Sequence, residues 1–197
     1  MRHRKRGRVL GRKSDHRQAL MRNLSRALIL SLNQPEDDPE KAKVPGRIIT
    51  TLPKAKEVRP FVEKMVTLAR KSLAASDAAE KLGTTAKRNS DEWKKWRKSP
   101  QWQEWAKAIA PAVALRRKAF SFLRDKEAVR ILFAELGPRF DKRDGGYTRI
   151  VRLAKPRLGD GGTRAVLEFV GNERDRKGSK KRAPLATESA PAEASAT

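Results

Sequence analysis

The chain opens with a stretch that cannot build a core of its own. Residues 1–13, MRHRKRGRVLGRK, carry eight basic side chains counting His3, two glycines and no acid, with almost no apolar periodicity. Such a segment has too little apolar surface to offset the entropy of ordering it. It reads as an extended arm that orders on a partner. The rest of the chain shares the bias: 47 Lys and Arg stand against 23 Asp and Glu over 197 residues, a formal net charge of +24. Self-repulsion on that scale disfavours a compact state unless a polyanion neutralises it. Nucleic acid fits that role best. An anionic membrane surface ranks second, because no long apolar amphipathic helix stands out to enter one.

With no cysteine, disulfides and thiolate metal sites are excluded, in keeping with a reducing, cytoplasmic setting. No run of 18 apolar residues is present to span a membrane. The charged start is not followed by an apolar segment, so it is not a secretory signal. Its arginine-rich, acid-poor character imitates an organellar transit peptide. The motif text described below begins at Met1, which speaks against a removable segment.

Periodicity sets out the elements. Leu20, Leu24, Ala27 and Leu28 recur at helical spacing, predicting a helix from about Asp15 to Leu32 with Ser14 as its cap. Residues 33–46 form a polar loop punctuated by prolines, and RIITT at 47–51 is a short β-branched strand. A second helix starts after Thr51, with Ala55, Val58, Val62, Met65 and Ala69 as its buried stripe. Pro60 is expected to kink or divide it. In DKEAVRILFAELG, Asp125 is a cap, Val129, Leu132, Phe133 and Leu136 form a stripe, and Gly137-Pro138 stops the helix. Two strands at about 147–155 and 163–170 read as an antiparallel hairpin. Residues 171–197, basic and then rich in Ala, Ser, Glu and Pro, are expected to be disordered.

The chemistry on offer is cationic. Arg2, Arg4, Lys5, Arg6, Arg8, Arg12, Lys13, Arg17 and Arg22 form a dense set whose guanidinium forks match phosphate oxygens. Gly7 and Gly11 allow close bending along a nucleic-acid backbone. The alternative is a solvated charge run or a localisation signal. His3 and His16, thirteen positions apart, make a poor metal site, and His16 suits a phosphate or base as readily as solvent. No nucleophile elbow or zinc-protease motif is present. Glu36, Asp37 and Asp38 cluster in the proline-rich loop as solvated acids. No catalytic residue, metal or cofactor is expected. In RDGGYTRIVR (143–152), alternation puts Tyr147, Arg149 and Val151 on one strand face, where a ring and a cation beside a tight turn would stack on and pair with RNA. The rival reading is an ordinary hairpin with an edge aromatic.

These pieces resemble one family, bacterial large-subunit ribosomal protein seventeen. The resemblance lies in MRHRKRGRVLGRKSDHRQALMRNL at the start, IITTLPKAKEVRPFVEKMVTLAR (48–70), RRKAF (116–120), LFAELGPRFDKRDGGYTRIVRL (132–153) and VLEFV (166–170), in that order. It implies an α+β fold: a small two-layer α/β domain over residues 1–170, with helices on a three-stranded mixed sheet. It implies a structural, non-enzymatic role in the large subunit, bound to rRNA near the peptide-tunnel exit, in the cytoplasm, beside neighbouring ribosomal proteins. Arg2 to Lys13 would thread into rRNA. The basic faces would include His16, Arg17, Arg22, Lys54, Lys56, Arg116, Arg117, Arg139, Arg143, Tyr147 and Arg149. A free-standing RNA-binding or RNA-processing factor with the same fold is the alternative.

The chain departs from the family text most at 71–114, an Ala-, Lys- and Trp-rich insertion holding Trp93, Trp96, Trp102 and Trp105. Ser90 and Ser99-Pro100 are the start signals of two short amphipathic helices, which predicts a helical hairpin. Pro111 is expected to break or kink the chain after it. The indoles would pack on each other or on the core. Alternatively they would dock on rRNA bases or a neighbouring protein.

Overall fold

The computed structural model describes residues 7–35 and 44–171. The expectations for residues 1–6 of the arm, for most of the acidic loop and for the tail from 172 lie outside them. The elements in order are α1 (Ser14–Leu30), β1 (Arg47–Thr51), α2 (Leu52–Leu82), α3 (Asp91–Lys98), α4 (Pro100–Leu123), α5 (Lys126–Ile131), a π-helical turn (Leu132–Leu136), α6 (Gly137–Arg139), β2 (Thr148–Arg152) and β3 (Arg164–Phe169).

Helices pack on one face of a three-stranded sheet ordered β1-β3-β2, an α+β domain in two layers. Both strand pairs are antiparallel, in the registers Ile49↔Val166 and Val151↔Val166, so the sheet is not mixed. The hairpin explains this order. Strand β3 returns beside β2 and slots between it and β1. It is the strand best suited to the centre, since five of its six residues are buried.

The core follows the helical stripes. Ala55, Val58, Val62, Met65 and Ala69 of α2 are fully buried, as are Leu28 and Ile29 of α1 and Leu132 and Leu136 of the π turn. Ala165, Leu167 and Phe169 supply the sheet side. The chain enters β1 through Gly46, at φ +70°, where an added Cβ would lie 2.9 Å from a Leu32 methyl; glycine is required by both conformation and space.

Four local expectations are corrected. α2 runs unbroken through Pro60, and α4 through Pro111. Each proline frees one carbonyl four residues back, at Lys56 and Lys107. Both prolines and both lysines are exposed, so water satisfies the freed groups. Ser14 lies inside α1 and makes no cap; Lys13 is the extended residue before it. Gly137 does not end its helix. Its N–H donates to the Leu132 carbonyl five residues back, and the chain makes one more turn to Arg139.

Asp125 caps as its sequence position suggests, accepting from the N–H groups of Glu127 (2.8 Å) and Ala128 (3.0 Å). It also pairs with Arg26 of α1 at 2.6 Å, tying two helices together. Burial acts to raise its pKa, but the Ala128 N–H and the Arg26 guanidinium outweigh that, and the carboxyl lies below its ordinary 3.8. A depressed carboxylate stabilises above its unfolded pKa and loses that contribution as pH falls through the folded one. Asp125→Ala is therefore expected to cost about 1–2 kcal/mol at neutral pH. In urea titrations, the gap between variant and wild type should narrow well below pH 3.8. A gap independent of pH would assign the loss to packing.

Candidate nucleic-acid interface

The predicted cations within the described residues fall into three places. The first is the N-terminal groove. Gly7 (φ +86°) and Gly11 (φ +61°) bend the chain, with Leu10 also left-handed at φ 57°. The result is a turn rather than an extended arm over 9–12, closed by the Arg12 N–H on the Val9 carbonyl at 3.1 Å. Arg8 approaches Glu57 of α2 at 3.6 Å. This turn, Arg17 and Met21 of α1, and Phe61 of α2 enclose a groove of about 610 Å³.

Around that groove the cations divide by use. The Arg12 Nη1 is bonded to the Leu10 carbonyl, and Arg22 Nε donates to the Phe122 carbonyl at 3.0 Å, so both serve the fold in part. Lys13, His16 and Arg17 make no side-chain hydrogen bond or ion pair among the described residues, and neither do Lys54 and Lys56 at the start of α2. These five are available to an outside anion.

The second place is the corner after the π turn. Arg139, Lys142 and Arg143 line a shallow cavity with Phe140 and Gly171. Arg139 donates to the Val170 carbonyl at 2.7 Å, and Arg143 Nε to Gly145 at 3.1 Å. Both residues are exposed. The third place is α4, where Arg116 lies over the Phe133 ring at 5.5 Å and Arg117 is exposed.

Tyr147 requires correction. It precedes β2 and is only 2% exposed, its ring 5.1 Å from that of Phe140, so it has no face to offer a base. Alternation holds within the strand, with Arg149 and Val151 outward and Thr148 and Ile150 inward, but the strand starts at Thr148 and Tyr147 turns inward with the loop. Arg149 does face outward, but its guanidinium is held on Glu168 of β3 at 2.6 Å. Glu168 is 2% exposed and also takes Arg47 of β1, forming one cross-strand row Arg47–Glu168–Arg149.

The reading by motif missed Lys142, Arg152 and, in the insertion, Arg88; all three are exposed, as is Arg97, one of the cations interleaved with the tryptophans. None of these four has an ion pair among the described residues. Isolation from acids in space, which the sequence does not display, is what distinguishes them.

The insertion is not a separate subdomain. Phe122 meets Phe61 edge-on at 5.8 Å, and Trp105 lies 3.8 Å from where a Gly83 Cβ would be, so α2 and α4 run antiparallel as one long hairpin. At 1.5 Å rise per residue, Phe61 to Gly83 spans roughly 33 Å. The four indoles gather at the far end, outside the hydrophobic core cluster. Among the described residues no group of three or more His, Asp or Glu gathers to hold a metal, and no helix is long and apolar enough to cross a membrane.

Comparison with known proteins gives this architecture a family. The family model for ribosomal protein L17 matches residues 44–170. The large ribosomal subunit protein bL17 of Rhodopirellula baltica is 59% identical over 171 residues, 87% of this chain and 81% of the relative. That of Koribacter versatilis is 37% identical over 174 residues (88% and 74%), and that of Bradyrhizobium diazoefficiens 36% over 178 (90% of each). The chain belongs to the ribosomal protein L17 family.

Proposed function

We propose that this chain is a structural, non-enzymatic constituent of the large ribosomal subunit, held there by rRNA and by neighbouring ribosomal proteins, near the exit of the peptide tunnel. The observation that carries the rRNA reading is the dispersal of unpaired cations. Lys13, His16 and Arg17, then Lys54 and Lys56, then Lys142, and then Arg152 stand on separate elements without acidic partners among the described residues. A protein with one binding cleft concentrates its charge. A protein embedded in folded RNA meets phosphates on several sides and has to answer each. The resemblance to the ribosomal family supports the reading of a position near the tunnel exit.

The test is sedimentation of cell lysate at physiological and at high salt, with the protein followed by immunoblot. Near-stoichiometric migration with the large subunit under both conditions is expected. Migration with light fractions, or release at modest salt, would overturn the reading in favour of a free RNA-binding factor.

A further inference from the structure

The tip of the α2–α4 hairpin carries a site of its own. Ser90 accepts from the Trp93 N–H at 3.2 Å and starts α3; Ser99 ends it and leads into α4 through Pro100. The tight joint folds α3 back, so that Trp93 and Trp96 meet Trp102 and Trp105. Trp96 and Trp105 pack edge to face, centroids 5.5 Å apart. Between the other two lies Arg97, its guanidinium carbon 5.1 Å from the Trp93 ring and 5.8 Å from that of Trp102. The four indoles, Arg97 and Arg88 line an open cleft of about 410 Å³.

Two properties define what fits there. First, the size falls at the small end of the roughly 300–1,000 Å³ typical of small-ligand sites, enough for one planar group and its substituent but not for a helix. Second, the lining is aromatic and cationic with no carboxylate, and neither arginine has an ion-pair partner among the described residues. Lying over the two indoles, the Arg97 guanidinium is held at the cleft, where its N–H groups can meet an oxyanion. A planar aromatic group with an attached phosphate answers both.

We propose that this cleft receives one unpaired nucleotide of RNA, its base stacked on the indoles and its phosphate on Arg97 and Arg88. The proposal rests on the reading of the chain as an RNA-bound component and places a specific contact at the far end of the insertion. A basic surface alone would bind duplex and single strand alike. A stacking cleft selects an unstacked base.

The chain's only tryptophans are these four, so its indole emission reports this cleft. The full-length protein is titrated with a short single-stranded oligoadenylate, with an abasic oligonucleotide of the same length, and with a polyglutamate peptide. Binding is followed both by indole emission and by anisotropy of end-labelled RNA. Saturable quenching by oligoadenylate is expected, with none from the abasic strand or the peptide. Arg97→Gln and Trp102→Ala should each weaken the quenching transition roughly tenfold or more. Arg97 is exposed and outside the core, so Arg97→Gln keeps the test valid if Trp102→Ala disturbs the tip. Anisotropy that reports binding while emission stays unchanged overturns the cleft and leaves RNA binding elsewhere on the chain intact. Equal quenching by the abasic strand, or unaltered quenching in Arg97→Gln, also overturns it. Quenching by the peptide alone would make the tip a protein seat. Failure of both signals would sink the wider RNA reading as well.

Discussion

Glu168→Ala should lower the melting temperature of the free protein more than any other single surface-facing change in the sheet. Glu168 is the middle of a row that crosses all three strands, with Arg47 on one side and Arg149 on the other, and it is 2% exposed. Truncation leaves two cations flanking an apolar gap with no anion between them. Breaking a buried pair costs about 3–5 kcal/mol where the orphaned charge is cut off from water. Here the arginine side chains retain 25% and 44% exposure, so they recover some hydration. The expected loss is about 2–3 kcal/mol, at or below the low end of that range. For a chain of this size that is a fall of about 5–10 °C. Glu168→Gln keeps an acceptor for one arginine and should fall in between. Thermal melting by circular dichroism separates the three proteins. A Glu168→Ala protein that melts with wild type would show that the row is only a solvated ion pair.

The same residue shows where sequence reading stops. Glu168 stands in VLEFV, where alternation marks it as outward and therefore as a surface acid. The strand order makes it central, and the arginines that flank it lie 121 and 19 residues away in the chain. Only the pairing of three strands brings them together. By contrast, the stripe of α2, the strand at 47–51 and the Asp125 cap were legible. Each depends on residues within one or two turns of each other, and tertiary packing agrees with the local signal. Pro60 and Pro111 do not divide their helices, since both lie on exposed faces where water can satisfy a freed carbonyl, and that exposure was not visible from the sequence. Tyr147 misled because it lies just outside β2, where the alternation that holds from Thr148 to Arg152 no longer applies and the loop turns its ring inward. The insertion was legible as two helices starting after Ser90 and Ser99, but only Ser90 makes a side-chain cap, and the tryptophans form a tip cluster because α2 and α4 both extend to carry it. The sequence alone left the extent of those helices divided between core and insertion.

Replacing Arg4, Lys5, Arg6 and Arg8 together with alanine should flatten the salt dependence of RNA association without unfolding the protein. The stability half of this expectation follows from Arg8, the one member among the described residues. Its contact with Glu57 is long, 3.6 Å, and its side chain is 52% exposed, so the pair adds little to the fold. The binding half follows from counterion release. Each phosphate contact contributes about 0.7–0.9 to the slope of log affinity against log salt, so four lost contacts remove about 3. Between 50 and 200 mM salt the wild-type affinity should then fall about 100-fold further than that of the variant. The two proteins should converge at high salt, where electrostatic attraction no longer separates them. The Trp102→Ala and Arg97→Gln proteins should behave differently. Stacking releases no counterion, so Trp102→Ala should lower affinity by a similar factor at every salt concentration, and Arg97→Gln should change the slope by no more than one contact. Arm and cleft are thus separable by slope as well as by fluorescence. An arm variant with the wild-type slope would mean that these four side chains meet no phosphate, and the charge at Lys13, His16 and Arg17 would have to carry the N-terminal contact instead.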